Sequence, residues 1–146
     1  MKNILKGKWA LDSNIIIYAL DRRSPYHESV KNMFAIEENT AVEYYISSQN
    51  VAEVLNVLIK QYGIGSRRAW KSLLDFIDAF ECTIVYQTIT TLNIFHSFLV
   101  KSETVDIYDA LYAATMMDNG VTNIVTANSK DFKFFKKIVI YNPLKE

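Results

Sequence analysis

The chain has a single cysteine, two prolines, four glycines and no excess of either charge. Each scarcity excludes something. The lone Cys82 cannot close an internal disulfide or complete a cysteine-based zinc site, which argues against a small secreted scaffold and makes a reducing cytoplasm the default. With 16 Lys+Arg against 16 Asp+Glu, any hold on nucleic acid must come from local basic groups or a bound cation rather than from a basic surface. No uninterrupted apolar run approaches the ~18 residues of a membrane span. The stretch from Trp9 to Leu20 is broken by Asp12, Ser13 and Asn14, so with the basic Met1–Lys8 segment before it, it makes a poor signal peptide. No low-complexity linker divides the 146 residues, which suit one soluble domain spanning 1–146. Walker loops, Gly-x-Gly-x-x-Gly fingerprints, His-Glu-x-x-His pairs and nucleophile elbows are all missing, which removes the usual support for nucleotide-dependent, zinc-protease and covalent chemistries.

What is present is an alternation of short apolar runs with longer stretches whose apolar residues recur every three or four positions. That pattern predicts an α/β fold with a mostly parallel sheet. Strands are expected at Lys8–Asp12, Tyr44–Ser47, Cys82–Tyr86, Asn123–Thr126 and Ile138–Tyr141. Helices are expected at Ser13–Leu20, Tyr26–Glu37, Asn50–Tyr62, Arg67–Phe80, Ile89–Lys101 and Val105–Asp118. Ser48 and Ser66 are candidate N-caps, and Asn119-Gly120 is a helix stop.

Ligands of open parallel sheets bind beyond the carboxyl ends of the strands, so acids near those ends come first. Asp12 leaves the first strand, and Glu53 lies one turn into the helix after Ser47-Ser48. Asp109 opens a strongly apolar helix, and Asn128 and Asp131 follow the strand ending at Thr126. Carboxylates gathered this way repel unless protons or a cation neutralise them, and their hard oxygens suit Mg²⁺ or Mn²⁺. Such an ion can activate water for phosphodiester hydrolysis without a protein nucleophile. Asp106 shares a helix face with Asp109, either as a further acid of the site or as an N-terminal dipole partner.

In this order, Leu11-Asp12-Ser13-Asn14, Ala52-Glu53-Val54-Leu55, Asp109-Ala110-Leu111-Tyr112-Ala113-Ala114 and Thr126-Ala127-Asn128-Ser129-Lys130-Asp131-Phe132 resemble the four motifs of PIN-domain ribonucleases. By size the chain is similar to the VapC toxins of toxin–antitoxin pairs. The resemblance runs from about Trp9 to Pro143 and implies a three-layer α/β/α fold, an Mg²⁺- or Mn²⁺-dependent endoribonuclease, a cognate antitoxin and a homodimer. It assigns Asp12, Glu53 and Asp109 to the family's first three acids, as catalytic and metal-binding groups. Many relatives carry Asp where this chain has Asn128, so Asn128, Asp131 or both stand at the fourth position, and Ser13 and Asn14 are orienting residues. It also implies in-line attack by an activated water that leaves a 5′-phosphate.

Outside these motifs, Lys130 and Lys133 are the foremost candidates for RNA contact, within a basic run that continues to Lys136-Lys137. Arg22-Arg23 and Arg67-Arg68 read as solvated faces. His27 and His96 read as surface or packing groups. Tyr18, Tyr108 and Tyr112 could stack on bases but have the spacing of core or interface residues, and Trp70 and Phe76 read as packing residues. The competing function is a PIN-like RNA- or protein-binding module that does not cleave. A Mg²⁺-dependent phosphatase is disfavoured because Asn14 stands where an Asp-x-Asp pair needs its second acid.

Overall fold

The computed structural model describes residues 5–37 and 41–145; the first four residues of the basic N-terminal segment and the last residue lie outside them. Five strands form one parallel sheet: β1 (Gly7–Leu11), β2 (Val42–Ser47), β3 (Thr83–Val85), β4 (Asn123–Val125) and β5 (Val139–Tyr141), in the order β3-β2-β1-β4-β5. The connections carry α1 (Ser13–Leu20), α2 (His27–Glu37), α3 (Ser48–Lys60), α4 (Ser66–Ala79), α5 (Ile89–Lys101) and α6 (Ile107–Asp118), with a 3-10 turn at Ser129–Phe132. Every expected strand and helix is found, with no end moved by more than two residues.

A sheet buried on both faces needs strands that are apolar at successive positions, and alternation then sorts the side chains between two cores. Trp9 and Leu11 of β1, Tyr44 and Ile46 of β2 and Val125 of β4 pack with α1–α4. Ala10, Val85 and Ile124 face the opposite way and pack with α5 and α6. The result is the expected three-layer α/β/α arrangement. In the first core, Phe34, Phe76 and Phe80 meet ring to ring, Phe34 and Phe80 stacked at 4.4 Å. Phe76 is thus a packing residue as expected, whereas Trp70 is not: it keeps 46% of its surface exposed on the outer side of α4.

Caps set the helix ends, and two expectations need correcting. Ser47, not Ser48, caps α3, its hydroxyl accepting from Asn50 N–H while its own N–H donates to Asn50 Oδ1. Ser66 caps nothing, because Gly65 takes that position and offers no side chain. The stop at Asn119-Gly120 is found: Gly120 has φ +73°, and Val121 N–H and Gly120 N–H return to Met116 and Met117. The α4 terminus has the same bond pattern, with Cys82 N–H to Ile77 O at 3.0 Å and Glu81 N–H to Asp78 O at 3.3 Å. There the left-handed residue is Glu81, at φ 51°. Cys82 itself is partly buried and its thiol is pushed up to about 12 by desolvation, which keeps it in the thiol form at neutral pH.

No helix among the described residues is long and apolar enough to cross a membrane. A left-handed residue with a Cβ costs roughly 1 kcal/mol that glycine avoids. Glu81→Gly should therefore raise the urea midpoint, adding up to about 1 kcal/mol; a lowered midpoint would show that Glu81 is not strained.

Candidate active site

The chain runs outward from β1 in one direction through β2 to β3, then returns to the other side for β4 and β5, so the strand order reverses at β1. Crevices open at such reversals, beyond the strand ends. The pairing of Leu11 with Val125 brings the next residues, Asp12 and Thr126, side by side at that point. Thr126 Oγ donates to Asp12 Oδ2 at 2.8 Å, and Asn14 Nδ2 donates to the same oxygen at 3.3 Å. Asp12 is also the N-cap of α1, accepting from Ser13 N–H at 2.8 Å through Oδ1. Burial nevertheless raises its carboxyl from 3.8 to about 6, against the pull of the Thr126 and Ser13 bonds, and the Glu53 and Asp131 carboxylates push it further up. Asn14 has a second bond: its Oδ1 accepts from Ala127 N–H at 3.2 Å, tying the start of α1 to the strand end opposite. Ser13 and Asn14, expected as orienting residues, therefore both bond to the Asp12 carboxylate.

Glu53 is brought to the same place by a line of directed hydrogen bonds. The Asn50 amide accepts from Ser47 N–H at 2.8 Å and donates to Ser13 Oγ at 2.9 Å. Ser13 Oγ in turn donates to Glu53 Oε2 at 2.9 Å. Gln49 Nε2 donates to Glu53 Oε1 at 2.8 Å and to the Tyr108 carbonyl at 3.2 Å, joining α3 to α6. Ser47, Asn50 and Ser13 are all buried. In such a setting a satisfied network fixes geometry, whereas a missing partner costs about 1–3 kcal/mol.

Asp109 is placed by two neighbours on its own helix. Asp106 caps α6, accepting from Asp109 N–H at 3.0 Å, so its carboxylate acts first as a cap. One turn beyond Asp109, the buried Tyr112 hydroxyl donates to Leu11 O at 2.8 Å and pins α6 to the end of β1. Tyr112 is therefore a core residue and cannot stack on a base; burial, then Asp12 and Glu53, holds its phenol well above 10. No donor among the described residues reaches the Asp109 carboxylate. Desolvation raises it to about 7, assisted by the carboxylates of Asp106, Asp131, Asp12 and Glu53 in that order.

Asp12, Glu53, Asp109 and Asp131 thus share one electrostatic field. Asp131 is exposed on the 3-10 turn. Asn128 is exposed too, and its side chain makes no capping bond; it is tied to the site through its main chain, N–H to Thr126 Oγ at 3.0 Å and C=O from Asp131 N–H at 3.0 Å. Lys130 is exposed beside Asp131, while Lys133 borders a separate groove that none of the acids lines. Thr126, Asn50 and Gln49 are the site residues that sequence reasoning passed over. Thr126 is signalled by its position one residue past a strand paired with β1, and Asn50 by the Ser-x-x-Asn spacing of a reciprocal cap.

The donor chemistry fits a divalent cation: several hard carboxylates raise one another's proton affinity, and positive charge would relieve this. Among the described residues no three His, Cys, Asp or Glu groups converge closely enough to grip an ion as they stand. Without a cation, ionising Asp109 costs folding energy. Because its folded value of about 7 lies above the usual 3.8, its contribution is intact below about pH 4 and is lost as pH rises through 7. In metal-free buffer the wild type should lose thermal stability between pH 5 and 8 by more than Asp109→Asn does. Parallel melting curves would show that the site is not strained by its charge.

The family model for the PIN domain matches residues 10–138. Among solved structures, the chain is similar to VapBC2 from Rickettsia felis bound to a promoter DNA fragment, at TM-score 0.71 and 18% identity over 93% of this chain and 98% of that one. It is similar to VapBC-1 from nontypeable Haemophilus influenzae, at TM-score 0.70 and 16% identity over 95% and 100%. The Mycobacterium tuberculosis toxin VapC20, described as cleaving the sarcin-ricin loop, aligns at TM-score 0.62 and 15% identity over 80% and 86%. No curated protein matches the chain significantly.

Proposed function

The chain belongs to the PIN domain family, and from that premise we propose that it is a metal-dependent endoribonuclease, the toxin of a toxin–antitoxin pair. The observation that carries this reading is the gathering of acids at the strand-order reversal: Asp12, with Glu53 joined to it through Ser13, and Asp109 on the helix that Tyr112 pins to the end of β1. Asp12, Glu53 and Asp109 are the residues to hold Mg²⁺ or Mn²⁺, with Asp131 or the Asn128 amide oxygen completing the set. A cation bound there would lower the pKa of a water and stabilise charge developing on a scissile phosphate.

The chain's own residues do the rest. Ser13, Asn14 and Thr126 aim the Asp12 oxygens. Ser13 and Gln49 take one oxygen each of Glu53 and fix its plane. Asp109, with no donor among the described residues, is the carboxylate free to turn toward substrate or to accept a proton from attacking water. RNA as the substrate class is supported by the fold shared with a VapC toxin that cleaves RNA. The partner reading is a small antitoxin encoded beside this chain, supported by folds shared with VapBC complexes. It is also supported by Trp70 and Leu74, both exposed one turn apart on α4. A homodimer is supported by exposed apolar side chains on α5 and α6, among them Ile89, Ile107 and Tyr108. The place of action we assign is the cytoplasm.

The test is cleavage of a mixed cellular RNA pool by purified protein with Mn²⁺, with the cut ends mapped. Wild type should give discrete cuts ending in 5′-phosphate, and Asp12→Asn or Asp109→Asn should reduce them at least 100-fold (~3 kcal/mol). Equal cleavage by the variants would refute the mechanism, and folded, inhibitor-free protein that cuts nothing would favour a binding module. Co-expression of the neighbouring small protein should relieve growth arrest and co-purify with the chain; independence on both counts would remove the antitoxin.

A further inference from the structure

On the side of the fold away from α1–α4, a groove of about 590 Å³ lies between α5, the end of α6 and the segment after the 3-10 turn. Its floor is apolar, with Phe98 and Met117 beneath and Phe134 at the rim. Phe134 keeps 38% of its surface exposed yet is held in place, edge-on to Phe98 at 6.3 Å and to Phe135 at 5.2 Å. Lys101, Lys133, Lys136 and Lys137 border the groove, and no carboxylate does. None of these ammonium groups forms an ion pair among the described residues, where the ion pair found is Lys71–Asp75.

Resting on the reading above, we propose that this groove is a site that captures single-stranded RNA, phosphates on the lysines and an unpaired base on Phe134, on a surface separate from the acids. Three considerations converge on that occupant. Without a cation the acids carry like charge and repel a polyanion, so they supply no affinity in metal-free conditions. The chain is neutral overall, so no diffuse basic field supplies it either. Screening confines useful attraction to roughly 8 Å at physiological salt, which requires cations concentrated along the strand's path. The groove gathers four lysines with no opposing acid. A cationic groove with a fixed exposed ring is the arrangement that holds single strands without reading their sequence. The groove and the acids are joined by a short stretch of chain: Asp131 is on the 3-10 turn, and Lys133, the first groove lysine after it, directly follows the turn.

The experiment is fluorescence anisotropy of a labelled, mixed-sequence 20-nucleotide RNA with full-length protein in EDTA, over a range of salt. Replacing Lys101, Lys136 and Lys137 together by Gln should weaken binding at least 10-fold and reduce the salt slope by about 2. Phe134→Leu, which keeps the packing against Phe98 and Phe135, should weaken binding about 5-fold. The same RNA annealed to its complement should bind more weakly than the single strand. In cleavage assays with Mn²⁺, the lysine variant should keep its kcat and raise its KM. Wild-type affinity and slope in the lysine variant, with circular dichroism showing it folded, would overturn the inference even if wild type cleaves RNA. So would a groove that binds an acidic peptide and not RNA. Lost binding in the variants with no cleavage by wild type would instead keep the groove and remove the ribonuclease reading.

Discussion

A carboxylate taken out of water beside other carboxylates is costly, and the arrangement around Asp12 answers that cost. Its rise from 3.8 to about 6 corresponds to roughly 3 kcal/mol of bias toward the protonated form. Three donors hold it against that bias: the Ser13 amide, the Thr126 hydroxyl and the Asn14 amide. Each comes from a place the fold dictates. Ser13 opens α1 because Asp12 caps it, Thr126 is alongside because Leu11 pairs with Val125, and Asn14 is fixed by the Ala127 N–H. The parallel order with its reversal at β1 is what allows all three to meet one side chain.

The other acids are placed by separate means, which explains their different character. Glu53 is restrained at both oxygens, through Ser13 on one side and Gln49 on the other. Asp109 is restrained only through its helix, which Tyr112 fastens to β1 and Asp106 caps. A site with two bound carboxylates and one loosely held one is suited to keeping a charged ligand in register while a substrate approaches. The lysine-rimmed groove complements it. In that proposal attraction and chemistry belong to different surfaces, because one patch cannot both attract a polyanion and gather carboxylates.

Much of this was legible in the residues, and the reason differs by feature. Strands such as Trp9-Ala10-Leu11 and Ile124-Val125 are apolar at successive positions because both faces are covered, and that pattern is visible without coordinates. The acids stood out because each interrupts or opens an apolar segment. Capping was read one residue off at Ser47, because Ser47 and Ser48 are chemically equivalent and only the position of Asn50 decides between them. Gln49 is not legible as a site residue, since its role depends on a contact 59 residues away in the chain, and Thr126 is marked only by its place just past a strand, its bond to Asp12 spanning 114 residues. Helical spacing marks Trp70 as a packing residue because spacing alone does not tell a buried stripe from an exposed one. Spacing leaves both core packing and base stacking open to Tyr112, and its bond to Leu11 O decides for the core.

The central claim is that Asp12, Glu53 and Asp109 form one site whose mutual repulsion a divalent cation relieves. Calorimetric titration of Mn²⁺ into the purified chain, with Asp12→Asn and Asp109→Asn beside it, tests that directly. The account predicts saturable binding by wild type, weakened at least 10-fold in each variant while their circular dichroism stays unchanged. Mn²⁺ binding of equal strength in all three proteins, or none in the wild type, would contradict it.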